Sequence, residues 1–242
     1  MKLQKIKLPK KYQYIEGQSR PEYKKFDGWE KISYSQFTSF KDYKFGYIQD
    51  YILKCAKRDG IFALYGGFCG KYFEDGTKSE YLTEFDMQTI DSIEKYPSSR
   101  YESEIVIDLE PFGLFKTCLQ GFSDHEYIIE NKLCVGDLKT GNSDSMLDKY
   151  GDMNKYFQTR LYAYERENQG FEIGSCKVIH LGRKGNNFNI GDKNCLRLNG
   201  VIDEIPTPYN RLEVEKYIKE SIVTTCLEIS EYFSVFNSFL GE

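Results

Sequence analysis

The spacing of apolar positions divides the chain into helical and extended stretches. Phe37, Phe40, Ile48, Tyr51, Ile52 and Cys55 recur at intervals that suit one buried helical stripe. With Ser33, Tyr34 and Ser35 as capping candidates, this predicts a helix to about Arg58, stopped by Asp59-Gly60. Residues 61–74 predict a second helix, although Gly66, Gly67 and Gly70 cost helical stability and so mark a bend or a close approach. Residues 82–96 predict a third, followed by a Pro97-Ser98-Ser99 connector.

The period then changes. Residues 103–110 alternate, with Ile105, Ile107 and Leu109 against Glu104, Val106 and Asp108, and predict a strand. Glu110-Pro111-Phe112-Gly113 has the proline and glycine of a turn, and returns the chain into a strand over 114–122. Residues 127–138 read as strand, tight turn, strand, which gives a meander of three or four strands. A polar loop over 142–150 leads to a helix over 152–168, started by Gly151-Asp152 and stopped by Gly170, with Met153, Phe157, Leu161 and Tyr164 facing the core. Residues 174–181 predict a further strand, and 182–187 a basic, glycine-containing loop suited to phosphate or to a plain turn. Thr207-Pro208 predicts the start of a long helix to about Phe239, with Leu212, Ile218, Cys226, Ile229, Tyr232, Phe233 and Phe236 mostly in the core.

Candidate chemistry collects between Gly121 and Tyr164. Asp137 and Lys139 are two apart in a strand and project to one side, with Leu133 and Val135 behind them. Asp124 lies thirteen positions before Asp137, at the far end of the hairpin, so the two acids can meet. Carboxylates held together repel unless a cation neutralises them, and Mg²⁺ typically uses one or two carboxylates plus waters and phosphate. Lys139 then sits where a phosphate or its attacking hydroxide needs positive charge. Gln158 and Tyr162 are four apart and share a helix flank, where they are either ordinary surface or orient a water or phosphate. Arg160 and Arg166 are expected to be exposed, as candidates for backbone contacts.

Gly121-x-x-Asp124, Asp137-x-Lys139-Thr140-Gly141 and Gln158-x-x-x-Tyr162, in this order, resemble the PD-(D/E)xK nuclease superfamily, in the branch of the RecB nuclease domain and phage-type exonucleases. The Ile32–Phe37 opening is also similar to the start of such domains. The resemblance implies an α/β, restriction-endonuclease-like core: a mixed central β-sheet flanked by α-helices, over residues 33–242, after a basic extension over 1–32. It implies a Mg²⁺- or Mn²⁺-dependent deoxyribonuclease, of the exonuclease type, acting in DNA recombination, repair or phage genome processing. Asp124, Asp137 and the Leu138 carbonyl would hold the metal, Lys139 would activate the water, and Gln158 and Tyr162 would support the geometry. The family carries H-x-x-x-E on a preceding helix; here Glu74 matches the glutamate and is a possible further ligand, but Gly70 stands in place of the histidine. A catalytically inactive nucleic-acid-binding module, and a structure-specific or RNA-directed endonuclease, stay open as alternatives, as does a recombination or replication protein as partner.

Composition narrows the remainder. The 242 residues are 40% hydrophobic and 29% charged, as in globular proteins, and no run approaches a membrane span. The basic N-terminus lacks an apolar core and cleavage site, so no secretory signal is expected. Seven cysteines without a CxxC pair point to reduced thiols in a cytoplasmic setting, the host cytoplasm if phage-encoded. Cys176, Cys195 and Cys226 are too spread for the iron–sulfur cluster that some relatives carry, so none is expected. A net charge of −4 leaves nucleic-acid binding to local basic patches, and some of the 20 tyrosines and 17 phenylalanines could stack on bases. Two histidines, His125 and His180, make a Ser-His-Asp or zinc site improbable, and there is no Walker A loop or GxGxxG.

Overall fold

The computed structural model of the chain describes residues 26, 28–47, 51, 61–142, 156–185 and 196–240. The fold is α/β. In chain order the elements are β1 (Glu30–Ser33), α1 (Tyr34–Asp42), α2 (Lys44–Tyr47), α3 (Ile61–Asp75), α4 (Glu84–Asp91), β2 (Ser103–Asp108), β3 (Thr117–Ser123), β4 (His125–Ile129), β5 (Lys132–Gly141), α5 (Gln158–Asn168), β6 (Ile173–Gly185), β7 (Leu196–Pro206), α6 (Arg211–Tyr217) and α7 (Thr224–Leu240), with a π-helical turn, Ile218–Val223, joining the last two. They fall into two compact units, one of Met1–Lys57, Glu104–Gly121 and Asn210–Glu242, the other of Arg58–Ser103 and Phe122–Tyr209.

The first unit carries a three-stranded sheet in the order β1-β3-β2, with β1 and β3 parallel. Ser33 caps α1 as its sequence suggests: its hydroxyl accepts the Gln36 N–H while the Gln36 side chain accepts the Ser33 N–H. Phe37 and Phe40 are buried, Phe37 edge-on to Tyr217 and Phe40 edge-on to Tyr232. The predicted helix to Arg58 is interrupted at Tyr43, whose backbone is extended (φ −154°, ψ 81°), and the remainder of that prediction beyond Tyr47 falls, Tyr51 apart, outside the described residues. At the C-terminus, Ile218, Cys226, Ile229 and Phe233 are buried as expected. Leu212 is not core: it is 74% exposed, about 200° around the helix from the buried Val214, and the helix starts later than its sequence suggests. Asn210 caps it, while Thr207 is buried and bonded to Thr159 at 2.7 Å.

The second unit is built on a four-stranded mixed sheet, β4-β5-β6-β7. β4 and β5 form an antiparallel hairpin, β5 and β6 run parallel across the α5 crossover, and β7 returns antiparallel to β6. The predicted continuous meander is therefore two sheets: β3 pairs with β1 and β4 with β5, and Asp124 is the residue between them. Side chains alternate along β6. Ile179 and Leu181 pack with Tyr65, Cys69 and Phe73 of α3 and Ile90 of α4 on one face, while Val178 packs with Tyr156, just ahead of α5, on the other. α3 matches its predicted span to within one residue, whereas α4 is shorter, held at its start by Thr83, which exchanges hydrogen bonds with Asp86. Among the described residues no helix is long and apolar enough to cross a membrane, and the five described cysteines are buried thiols.

Candidate active site

A two-residue turn sets the geometry. Glu130 and Asn131 both have positive φ (50° and 63°), the backbone that matches the twist of a tight hairpin. This fixes the pairing of His125 with Gly136, and one step further along the same register Asp124 lies across from Asp137. Asp124 Oδ2 accepts the N–H of Leu138 at 2.7 Å. Asp137 and Lys139 project from one face of β5, and Lys139 Nζ is 2.6 Å from Asp137 Oδ2. The expected grouping of Asp124, Asp137 and Lys139 is present.

A third carboxylate joins them that sequence reasoning missed. Arg100 pairs antiparallel with Glu126, and the same register carries Glu102 toward Asp124. Glu102 has φ of 49°, which favours glycine, and it lines a cavity of about 430 Å³ with Glu74, Asp124, Leu138, Gly70 and Lys71. No local sequence signal marks such a glutamate, since its placement depends on a bridge to a strand 26 positions away. Glu74 faces the cavity, as the resemblance implies, and its carboxylate is 2.9 Å from Lys71. Crowding of acids shows in their protonation. Burial, then the charge of Asp137, raises Asp124 to about 8, against the opposing pull of Lys139 and the Leu138 N–H. Burial and the charge of Glu74 raise Glu102 as well.

Behind Asp137 runs a line of hydrogen bonds. Tyr156 Oη is 2.6 Å from Asp137 Oδ2 and 3.2 Å from Gln158 Oε1, and Gln158 Nε2 is 2.7 Å from the Tyr162 oxygen. Tyr162 is buried rather than on a surface flank. Burial, then the charge of Asp137, holds its hydroxyl well above the usual tyrosine range, so it stays protonated. Tyr156 falls within the helix predicted over 152–168, but α5 starts at Gln158, which frees Tyr156 to turn toward β5.

Two predicted backbone-contacting arginines are not at the surface. Arg160 is 1% exposed with its guanidinium 4.9 Å from the Phe157 ring centroid, and Arg166 is buried with Nε 2.9 Å from Glu126 Oε1. α5 is covered around most of its circumference, so its apolar stripe gives no cue to which of its polar residues are buried as well. His125 points away from the acids, since its partner Gly136 precedes Asp137 and faces oppositely; it is enclosed by Phe73, Tyr101 and Tyr127. Residues 182–185 continue β6 rather than forming a loop, and Arg183 stacks on Phe62 at 3.7 Å. The polar segment 143–150, residues 186–187 and the basic extension up to residue 25 lie outside the described residues.

The described residues contain no group of three or more His, Cys, Asp and Glu side chains gathered closely enough to hold a metal ion. The donor set nevertheless fits Mg²⁺ or Mn²⁺ in one respect. Asp137 Oδ1 is buried without a hydrogen-bond partner, beside a second carboxylate, and two carboxylates with backbone and water oxygens are a common Mg²⁺ environment.

No family model and no curated protein matches the chain. Among solved structures it is similar to the crystal structure of SSO0001, with 14% identity and a TM-score of 0.42, over 84% of this chain and 83% of that one.

Proposed function

We propose that the protein is a Mg²⁺- or Mn²⁺-dependent nuclease that hydrolyses DNA phosphodiester bonds. The observation that carries the reading is the partnerless, buried Oδ1 of Asp137, next to Asp124 and two residues from Lys139. A buried carboxylate oxygen without a donor is costly, and a cation is the partner that also explains the second acid. The three motifs that resemble the RecB-like branch of the PD-(D/E)xK superfamily converge on this one place, which supports the same reading.

Asp124 and Asp137 would hold the divalent ion, with the Leu138 carbonyl; Asp124 and Leu138 line the cavity that Glu74 and Glu102 also face. When bound, such an ion draws electron density from a phosphoryl oxygen and makes water a better nucleophile. Lys139 places its ammonium beside the reacting phosphate, where negative charge develops during in-line attack, and orients the attacking water. Burial of Asp137 keeps bulk water from screening these charges. Gly67 and Gly70 leave the cavity wall open, with nothing within 4 Å of where a Cβ would stand, so a bulky phosphate and sugar can approach.

The test is cleavage of end-labelled linear duplex, single-stranded and covalently closed circular DNA with Mg²⁺, Mn²⁺ or EDTA, beside the Asp137→Ala and Lys139→Ala proteins. Metal-dependent loss of the linear forms alone, abolished by both substitutions, is the result expected of an exonuclease acting in recombination, repair or phage genome processing. Cutting of the circle assigns an endonuclease. Retained DNA binding without cleavage by the wild type overturns the catalytic reading in favour of a binding module.

A further inference from the structure

We infer that Gln158 and Tyr162 act on Asp137 through Tyr156, not on substrate, which makes Tyr156 a positioning residue; the inference rests on the nuclease reading of this site. The argument is one of counting protons. A phenol carries a single proton. With Tyr156 Oη 2.6 Å from Asp137 Oδ2, that proton belongs to the carboxylate. The contact of 3.2 Å between Tyr156 Oη and Gln158 Oε1 would then set two acceptors against each other.

A half-turn of the Gln158 amide removes the conflict, because its oxygen and nitrogen occupy equivalent positions. The nitrogen then donates to Tyr156 Oη, and the oxygen receives the Tyr162 hydroxyl over the 2.7 Å contact. Tyr162 needs that acceptor: its oxygen already takes a backbone hydrogen bond from Phe122, and its proton is retained. Every proton in the line now points the same way, from Tyr162 to Gln158, from Gln158 to Tyr156, and from Tyr156 to Asp137. Hydrogen bonds in series polarise one another, and the last one is also assisted by the charge of its acceptor.

The consequence falls on one oxygen. Asp137 Oδ2 receives Tyr156 at 2.6 Å and Lys139 at 2.6 Å, which fixes the plane of the carboxylate. Oδ1, left without a partner, is presented to the cation. Both members of the Gln-x-x-x-Tyr spacing are thereby used in holding Asp137, since one helical turn brings Tyr162 to one end of the Gln158 amide while the other end meets Tyr156.

The experiment compares wild type, Tyr156→Phe, Gln158→Ala and the double variant. Mn²⁺ binding is followed by electron paramagnetic resonance without DNA, and cleavage of linear duplex is followed against Mn²⁺ and DNA concentration. Tyr156→Phe is expected to weaken Mn²⁺ binding about tenfold, the worth of a hydrogen bond to a charged group. Gln158→Ala should weaken it less, and the double variant should match Tyr156→Phe within about twofold, as for residues in one line. KM for DNA should not change in any of them. If Tyr156→Phe does not fold, Tyr162→Phe, which removes only the first donor, should pair with Gln158→Ala in the same non-additive way. Wild-type Mn²⁺ affinity in Tyr156→Phe, or a raised KM in Gln158→Ala with effects that multiply, overturns the inference while the nuclease reading stands. A wild type that neither binds Mn²⁺ nor cleaves overturns both.

Discussion

Lys139 Nζ lies 2.6 Å from Asp137 Oδ2, two residues along the same strand, with Asp137 fully buried and Lys139 28% exposed. The pair is asymmetric: the cation can reach solvent and the anion cannot. Replacing Lys139 by Met keeps the stem but leaves the buried carboxylate without its ammonium. In EDTA this should lower stability by on the order of 2–3 kcal/mol, somewhat below the cost of breaking a fully buried pair. Millimolar Mn²⁺ should recover part of the loss in Lys139→Met, because a divalent ion supplies the missing charge. Urea titrations with and without Mn²⁺ measure both. A variant as stable as wild type in EDTA would show that Asp137 does not depend on Lys139.

Two buried groups give the metal-free protein opposing pH dependences. Asp124 is raised from 3.8 to about 8, so between those values the folded state keeps a proton that the unfolded chain releases, and stability falls as pH rises. His125 is pushed by burial from 6.5 down to about 4, so below 6.5 the unfolded chain gains a proton that the folded state refuses, and stability falls as pH drops. From pH 4 to 6.5 the two slopes offset, apart from a smaller fall just above pH 4.5 from Glu102, which is raised by burial and the charge of Glu74. From 6.5 to 8 only Asp124 remains, with a decline of up to about 1.4 kcal/mol for each pH unit. Urea midpoints across pH 4–9 in EDTA should therefore show a plateau and then a fall. Asp124→Asn should abolish the fall, and His125→Phe, which keeps the ring contacts with Phe73 and Tyr101, should extend it down to pH 4. Flat stability between pH 6.5 and 8 would refute the protonated state of Asp124.

How far the sequence reached into this site follows from the range of the interactions. Asp124, Asp137 and Lys139 could be grouped because a hairpin is a local object: its two-residue turn at Glu130-Asn131 sets the register. Ser33 is among the capping candidates of the sequence for the same reason, although its reciprocal bond with Gln36 is seen only in the structure. What local pattern could not supply was partnership across the chain. β3 and β4 are separated by Asp124 alone and read as one meander, yet they hydrogen-bond in different sheets. β7, with only alternate positions covered near its start, gave no apolar run to recognise. Arg166 looked like surface because its partner Glu126 is 40 positions away. Thr207-Pro208 has the residues of a helix start, but the Thr207 hydroxyl is taken by Thr159, and Asn210 does the capping.

The Arg166–Glu126 pair is the buried charge on which the back of the second unit depends. Arg166 Nε donates to Glu126 Oε1 at 2.9 Å and its Nη1 donates to Gln169 Oε1 at 2.9 Å. The Glu126 backbone also holds both hydrogen bonds of the Arg100 bridge that brings Glu102 to the cavity. Glu126→Ala removes the carboxylate from beside a buried guanidinium, and should cost about 3–5 kcal/mol. Arg166→Met with Glu126→Leu together should cost much less, since neither leaves a buried charge. The double-mutant cycle, read from urea midpoints, checks the coupling; additive losses would mean that the two side chains are independently solvated.

The three glycines of α3 should respond differently to alanine. All lie in a helix, where glycine costs roughly 1 kcal/mol against alanine. A Cβ at Gly67 or Gly70 meets nothing within 4 Å, whereas one at Gly66 would come to 3.0 Å from Thr140 Oγ1, at the end of β5. Gly67→Ala and Gly70→Ala should therefore raise stability by about 0.5–1 kcal/mol each, and Gly66→Ala should give no gain or a loss as Thr140 is pushed aside. Cleavage should separate from stability at Gly67 and Gly70: both line the cavity, so their methyl groups narrow it while firming the helix. Retained full cleavage in both stabilised variants would show that the substrate does not enter along α3.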